Sequence, residues 1–266
     1  MHSTNRNIIH KNININESIC GILSLPSQQG IFPAILFLHG FATDKNEVNS
    51  IYKYMANSLN TMNVATLRID FRCWGDSIGK TEQSTIDKMV DDALESIKYL
   101  REQNIILSQN IGIIGFSLGA AIAMLSCKYG NCKSLALISP ALDLEQDFVA
   151  FLGKDIMEKL HGSTSPIDIC LPWRTVKLSK DFHTSLIKNI PRLAIQHYLG
   201  DLYCVAGKRD FTCKNAIQII NESASPKNKL TIIDNADHIF SLTNGTSELF
   251  NVADSVTSWM SIAINS

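Results

Sequence analysis

NIGIIGFSLGAAIAM, Asn110–Met124, is the stretch whose reading decides the fold. An isoleucine-rich run ends abruptly at Gly-Phe-Ser-Leu-Gly, and a run of small residues follows at once. Residues 111–116 read as a buried strand and residues 118–129 as a helix. Gly115 and Gly119 remove the side chains that would clash at so sharp a corner. Ala120, Ala121 and Ala123 let the helix lie close against a sheet. The hydroxyl of Ser117 is then held out at a helix N-terminus, where free N–H groups and the helix dipole favour negative charge. That is suitable ground for a nucleophile attacking a carbonyl. With glycine at ~7% of residues, Gly-x-Ser-x-Gly arises by chance in roughly one chain of this length in twelve. Its weight comes from its setting between a strand and a small-residue helix.

Outward from this corner, short apolar runs alternate with helical patterns. The runs 18–25, 33–40, 64–71, 134–140, 201–207 and 229–234 read as strands. Helices are expected over 47–62, with Ile51, Tyr54, Met55 and Leu59 on one face, and over 84–103, with Ile86, Met89, Val90, Ala93, Ile97 and Leu100 on one face. Two more are expected over 213–223 and about 248–262. Such alternation implies βαβ units and a parallel sheet covered on both faces. The strands of residues 7–25 have no helix between them and are expected to form an antiparallel edge. About sixty residues, 142–200, break the rhythm with Pro166, Pro172 and Pro191 and only modest periodicity. Unstructured connections of that length are uncommon unless functional. The expectation is one α/β domain over 1–266 with a cap inserted at about 142–200.

Composition narrows the function. The 266 residues carry 24 Lys+Arg against 25 Asp+Glu, without a basic stripe, which argues against a nucleic-acid partner. No apolar run reaches the ~18 residues of a membrane span. The opening MHSTNRNIIHKNININES is polar and lacks the apolar core of a signal peptide, so a cytoplasmic location is expected. Seven cysteines, an odd count without a C-x-x-C pair, read as buried thiols rather than disulfides or a zinc site. Neither a phosphate loop nor a dinucleotide fingerprint occurs, and no cofactor is expected. The oligomeric state stays open, a homodimer being one option.

A serine hydroxyl needs a base. Of seven histidines, His238 alone lies late in the chain and just past a strand. His39 belongs to a strand-ending turn, His161, His183 and His197 fall in or near the cap, and His2 and His10 lie near the N-terminus. The base needs a carboxylate to orient it. Asp210, a few residues beyond a strand, fits, with Asp143 as runner-up; Asp237 adjoins His238 and is badly placed to fold back onto its ring. The order Ser117, Asp210, His238 matches the α/β-hydrolase order. An oxyanion needs two aimed donors; the amides of Leu118 and Phe41 are the candidates.

The motifs LFLHGFATDKNE (36–47), LRIDFRCWGDSIG (67–79), IGFSLGAA (114–121), AGKRD (206–210) and ADHIF (236–240) resemble the α/β-hydrolase superfamily over about Ala34 to Met260. Within it, the HGF…KNE and DFR…GDS.G pair is similar to small cinnamoyl/feruloyl esterases, and to serine aminopeptidase-like and monoglyceride-lipase-like hydrolases. The resemblance implies Ser117 as nucleophile, His238 as base, Asp210 as acid, Phe41 and Leu118 as oxyanion donors, and a cap shaping the acyl pocket. One departure is clear. The usual Arg-Gly-x-Gly loop is here Arg72-Cys73-Trp74-Gly75, a bulky pair expected to alter the loop or narrow the site, with Arg72 and Asp76 in structural roles.

The leading expectation is a serine hydrolase acting on a small-molecule carboxylic ester. Thioesterase, acyltransferase and small-peptide hydrolase are variants on the same chemistry. A non-catalytic ligand-binding protein on the same fold is the alternative of another class, because fold does not fix function. A haloalkane- or epoxide-type enzyme would need a carboxylate where Ser117 stands. Phe148, Phe151, Leu152, Ile167, Leu171 and Trp173 would either line an apolar acyl pocket or pack the cap onto the body.

Overall fold

The computed structural model describes residues 8–266. The reading of the polar opening segment, with His2 and Asn7, falls partly on residues outside this range. The main sheet has eight strands: β1 (Ile9–Ile15), β2 (Ile19–Leu25), β3 (Phe32–Leu38), β4 (Ala65–Ile69), β5 (Ile106–Phe116), β6 (Ser134–Ile138), β9 (Asp201–Gly207) and β10 (Asn228–Ile233). Their order is β1-β2-β4-β3-β5-β6-β9-β10. β1 pairs antiparallel with β2, and β2 antiparallel with β4; every other pairing is parallel. The strand order turns back at β3, which lies between β4 and β5. In such sheets the crevice at the carboxyl ends of the strands beside that reversal is where ligands bind.

Alternation along β3 shows how the sheet makes two cores. Ala34, Leu36 and Leu38 face one side, while Ile35 and Phe37 face the other. The first face is covered by α2 (Ile86–Arg101) and α3 (Leu118–Gly130), the second by α1 (Ile51–Thr61) and α9 (Leu249–Ala263). This is the α/β-hydrolase arrangement. At the start of helix α2, Thr85 Oγ1 caps the first turn by accepting the Lys88 amide at 3.3 Å. Helix α1 departs from expectation at one position. Tyr54 faces outward, its hydroxyl bonded to Asp254 and its ring edge-on to Phe250, whereas Tyr52 fills the buried place and donates to the Leu38 carbonyl.

Between β6 and β9 the chain is more regular than its periodicity implies. It forms α4 (Leu144–Leu152), α5 (Lys154–Gly162), a hairpin of β7 (Ile167–Cys170) and β8 (Thr175–Leu178), α6 (Lys180–Lys188) and α7 (Pro191–Ile195). None exceeds nine residues, so a periodic signal barely accumulates before each element ends. Helix α8 (Cys213–Glu222) then leads from β9 to β10. Among the described residues, no helix is long and apolar enough to cross a membrane.

Neither Cys73 nor Trp74 lines the main cavity. Cys73 adopts φ 75°, the left-handed region where the family's usual residue is glycine. Trp74 turns inward, donating Nε1 to Ser84 Oγ at 2.8 Å and meeting the ring of Phe41 edge-on. Arg72 pairs with the buried Asp92, and Asp76 accepts from Lys45 at 2.6 Å, both as structural ties.

Candidate active site

The corner at Ser117 is as tight as its sequence requires. A side chain on Gly119 would fall inside contact distance of the Leu38 carbonyl, and one on Gly115 would strike the Gly119 backbone. Ser117 itself has φ 54° and ψ −115°, a conformation that costs a residue with a side chain about 1–3 kcal/mol. The strand next door holds it there. The Ser117 amide donates to the Ile138 carbonyl at 2.8 Å, and the Ala141 amide donates to the Ser117 carbonyl at 3.2 Å.

Three side chains from three loops meet at this corner. His238 Nε2 lies 3.0 Å from Ser117 Oγ, and His238 Nδ1 lies 3.0 Å from Asp210 Oδ1. An ionised carboxylate only accepts, so the imidazole proton resides on Nδ1 and leaves Nε2 free to accept from the serine hydroxyl. The imidazole stacks on Phe211, with centroids 5.2 Å apart, and meets Phe116 edge-on. Burial of Asp210 opposes its charge, but the hydrogen bonds from His238 and Thr212 outweigh it and hold the carboxyl below its usual range.

The other acidic candidates are engaged elsewhere. Asp143 pairs with Arg192 at 2.8 Å, and Asp237 accepts the amides of Ile239 and Ser241, closing the turn that carries His238.

Phe41 follows β3 and Leu118 opens α3. Among the described residues, neither amide has a hydrogen-bond acceptor in the protein, and both residues line the cavity that Ser117 and His238 also line. That cavity holds about 670 Å³ and is walled mainly by apolar groups. Phe148, Phe151 and Trp173 border it, whereas Leu152, Ile167 and Leu171 pack against the core. The six apolar residues singled out in the sequence thus divide between the two roles. The Phe41 ring packs against Phe148, Phe151 and Phe182, and Trp173 Nε1 donates to the Ala42 carbonyl at 3.1 Å.

Two contacts at this site carry no signal of their own in the sequence. Ser139, buried and at φ 44°, donates its hydroxyl to the His238 carbonyl at 2.8 Å. Glu47 closes the HGFATDKNE motif, yet nothing in that motif says that its carboxylate turns inward.

Comparison with known proteins agrees with this fold. A family model described as serine aminopeptidase, S33, matches residues 31–189, more than half of the chain. The matched region includes Phe41, Ser117 and Leu118 and stops short of Asp210 and His238. An uncharacterized 31.7 kDa protein of the traX-finO intergenic region of Escherichia coli is 28% identical over 105 residues, 40% of this chain. The match spans only 36% of that relative's length. Est1E from Butyrivibrio proteoclasticus, solved with ferulic acid bound, superposes with a TM-score of 0.76 over 96% of this chain and 100% of its own, at 21% identity. Mouse alpha/beta hydrolase domain-containing protein 10 superposes with a TM-score of 0.67 over 95% of this chain and 98% of its own, at 17% identity. At these identities the two structures speak for the fold.

Proposed function

The chain belongs to the serine aminopeptidase S33 family, and on that premise we propose that it is a serine hydrolase that cleaves small carboxylic esters through an acyl-enzyme. The observation that carries this reading is the unbroken line Ser117–His238–Asp210, at 3.0 Å per step, beside two unpartnered amides. In this reading Ser117 Oγ attacks the ester carbonyl while His238 Nε2 takes its proton. Asp210 keeps the imidazole oriented and stabilises the imidazolium. The developing oxyanion is received by the amides of Phe41 and Leu118, each contributing on the order of 3 kcal/mol to the transition state. His238 then protonates the departing alkoxide, the acyl group stays on Ser117, and a water activated by His238 releases the acid.

The acyl group occupies the apolar cavity under α4 and the β7–β8 hairpin, which together act as the cap. The cavity's size accommodates an acyl group larger than acetyl. A small peptide is the second substrate reading, favoured by the family's description. The substrate is a free small molecule and the proposed location is the cytoplasm, in keeping with cysteines that form no disulfide among the described residues.

Turnover of a p-nitrophenyl ester series from acetate to long chains, with p-nitroanilides in parallel, tests the reading. The expected result is ester hydrolysis that disappears in Ser117→Ala, together with fluorophosphonate labelling at Ser117. Ester turnover retained in Ser117→Ala, or no labelling of the native protein, sinks it.

A further inference from the structure

The Gly40–Phe41 peptide is held from behind. Its carbonyl, that of Gly40, accepts from His39 Nδ1 at 2.8 Å and from Thr43 Oγ1 at 3.2 Å. In a trans peptide the N–H points opposite to the C=O. The Phe41 amide is therefore directed away from His39 and Thr43. His39 can donate in this way because its other nitrogen, Nε2, accepts the Phe71 amide at 3.2 Å, which places the proton on Nδ1. Burial holds this imidazole in its neutral form.

The preceding peptide is pinned by Glu47. Glu47 Oε2 accepts the Gly40 amide at 2.6 Å and the Thr43 hydroxyl at 3.0 Å, while Oε1 accepts the Val48 amide at 3.1 Å. The carboxyl is buried and borders the cavity. The loop it crosses is strained: Ala42, Glu47, Asn49 and Ser50 all have φ between 51° and 59°. Burial pushes the Glu47 carboxyl up, and the three donors that converge on it pull it back only in part. The single Thr43 proton is shared between Glu47 Oε2 at 3.0 Å and the Gly40 carbonyl at 3.2 Å, so the carboxyl holds the Gly40 amide directly and keeps Thr43 against the Gly40 carbonyl.

We infer that Glu47 is a positioning residue for the oxyanion hole: through Gly40 and Thr43 its carboxylate sets the direction of the Phe41 amide. It does not touch the substrate's reacting atoms. Its contribution appears only once charge develops on the carbonyl oxygen, so it raises kcat and leaves ground-state binding alone.

The inference rests on the esterase reading, and the test separates the two. Native protein, Ser117→Ala, Glu47→Ala and Glu47→Gln are compared on p-nitrophenyl butyrate, with inhibition by butylboronic acid as a readout of tetrahedral-adduct binding. If the native protein does not turn over the ester, the functional reading falls, and this inference with it. If native protein is active and Ser117→Ala is not, Glu47→Ala is expected to lower kcat about 100-fold with KM within about threefold, the loss seen when one oxyanion donor is removed. Boronate inhibition should weaken by a similar factor. Glu47→Gln keeps an acceptor for Gly40 and Thr43 and should recover most of kcat. A kcat for Glu47→Ala within threefold of native, or KM and boronate inhibition constant rising together, overturns the inference. Should Glu47→Ala fail to fold, Thr43→Val decides: a kcat lowered about fivefold supports it, and an unchanged kcat overturns it.

Discussion

The hydroxyl of Ser139 donates to the carbonyl of His238, 99 residues further along the chain, at 2.8 Å. The bond joins the end of β6 to the loop that carries the imidazole. Ile138, the residue before Ser139, accepts the amide of Ser117, and Ser139 donates its own amide to Val205 of β9. The end of β6 thus fixes the corner at Ser117 and the histidine loop against each other. Removing the hydroxyl loosens one of these ties. Ser139→Ala should lower kcat about fivefold to tenfold with little change in KM, the scale of one buried hydrogen bond. Steady-state kinetics beside a thermal melt checks this, and an unchanged kcat in a folded variant contradicts it.

Asp210 holds the imidazole by a 3.0 Å bond, so Asp210→Asn should leave the fold intact and lower kcat by about 10⁴ through the wrong tautomer. Single-turnover acylation of Ser117, followed by mass, reads the step directly. Acylation at native speed would show that Asp210 is not the orienting group.

The same residue predicts a pH dependence of stability. Its folded pKa is lowered, so the folded state favours the carboxylate. That stabilisation is fully present above the unfolded value, near ~3.9, and is lost as pH falls through the lower folded value. Denaturant melts of native protein and Asp210→Asn should therefore differ most above about pH 4 and converge below it. A gap that widens on acidification would reverse the assigned sign.

Gly119 lies against the carbonyls of Leu38 and His39, which are backbone and cannot swing away. Gly119→Ala forces the helix off the sheet and should cost about 1–3 kcal/mol or more, the range for overpacking. Thermal unfolding measures it, and a melting temperature equal to native would mean that the corner is looser than described.

Phe151 borders the cavity and is half exposed, so truncating it removes little core packing. Phe151→Ala should lower kcat/KM for longer apolar acyl chains about tenfold and leave acetate nearly unchanged, the scale of lost apolar contact in a pocket. The p-nitrophenyl ester series checks this; equal losses for acetate and octanoate would mean that the acyl chain lies elsewhere.

Legibility in the sequence followed the range of the physics. Strand β5 and helix α3 were readable because their patterns are local: isoleucines that suit a buried strand, then alanines that suit close helix packing. Ser117, Asp210 and His238 were nameable because each follows a strand, and a parallel sheet gathers strand ends at one rim. Tyr52 and Tyr54 were harder. Two tyrosines two positions apart lie about 200° apart around α1, so only one can face the core, and the packing against Phe37 and α9 takes Tyr52. The short elements between β6 and β9 ended before any period could build.

The sequence by itself determined the βαβ alternation, the corner at Ser117 and the order of the three polar side chains, since backbone sterics and apolar periodicity act between near neighbours. Only the tertiary structure decided that Asp143 turns to Arg192, that Trp74 points inward beneath Phe41, and that Glu47 and Ser139 brace the site. These are choices of hydrogen-bond partner, and a polar side chain selects its partner from whatever the finished fold brings within about 3 Å, a distance that spacing along the chain does not encode.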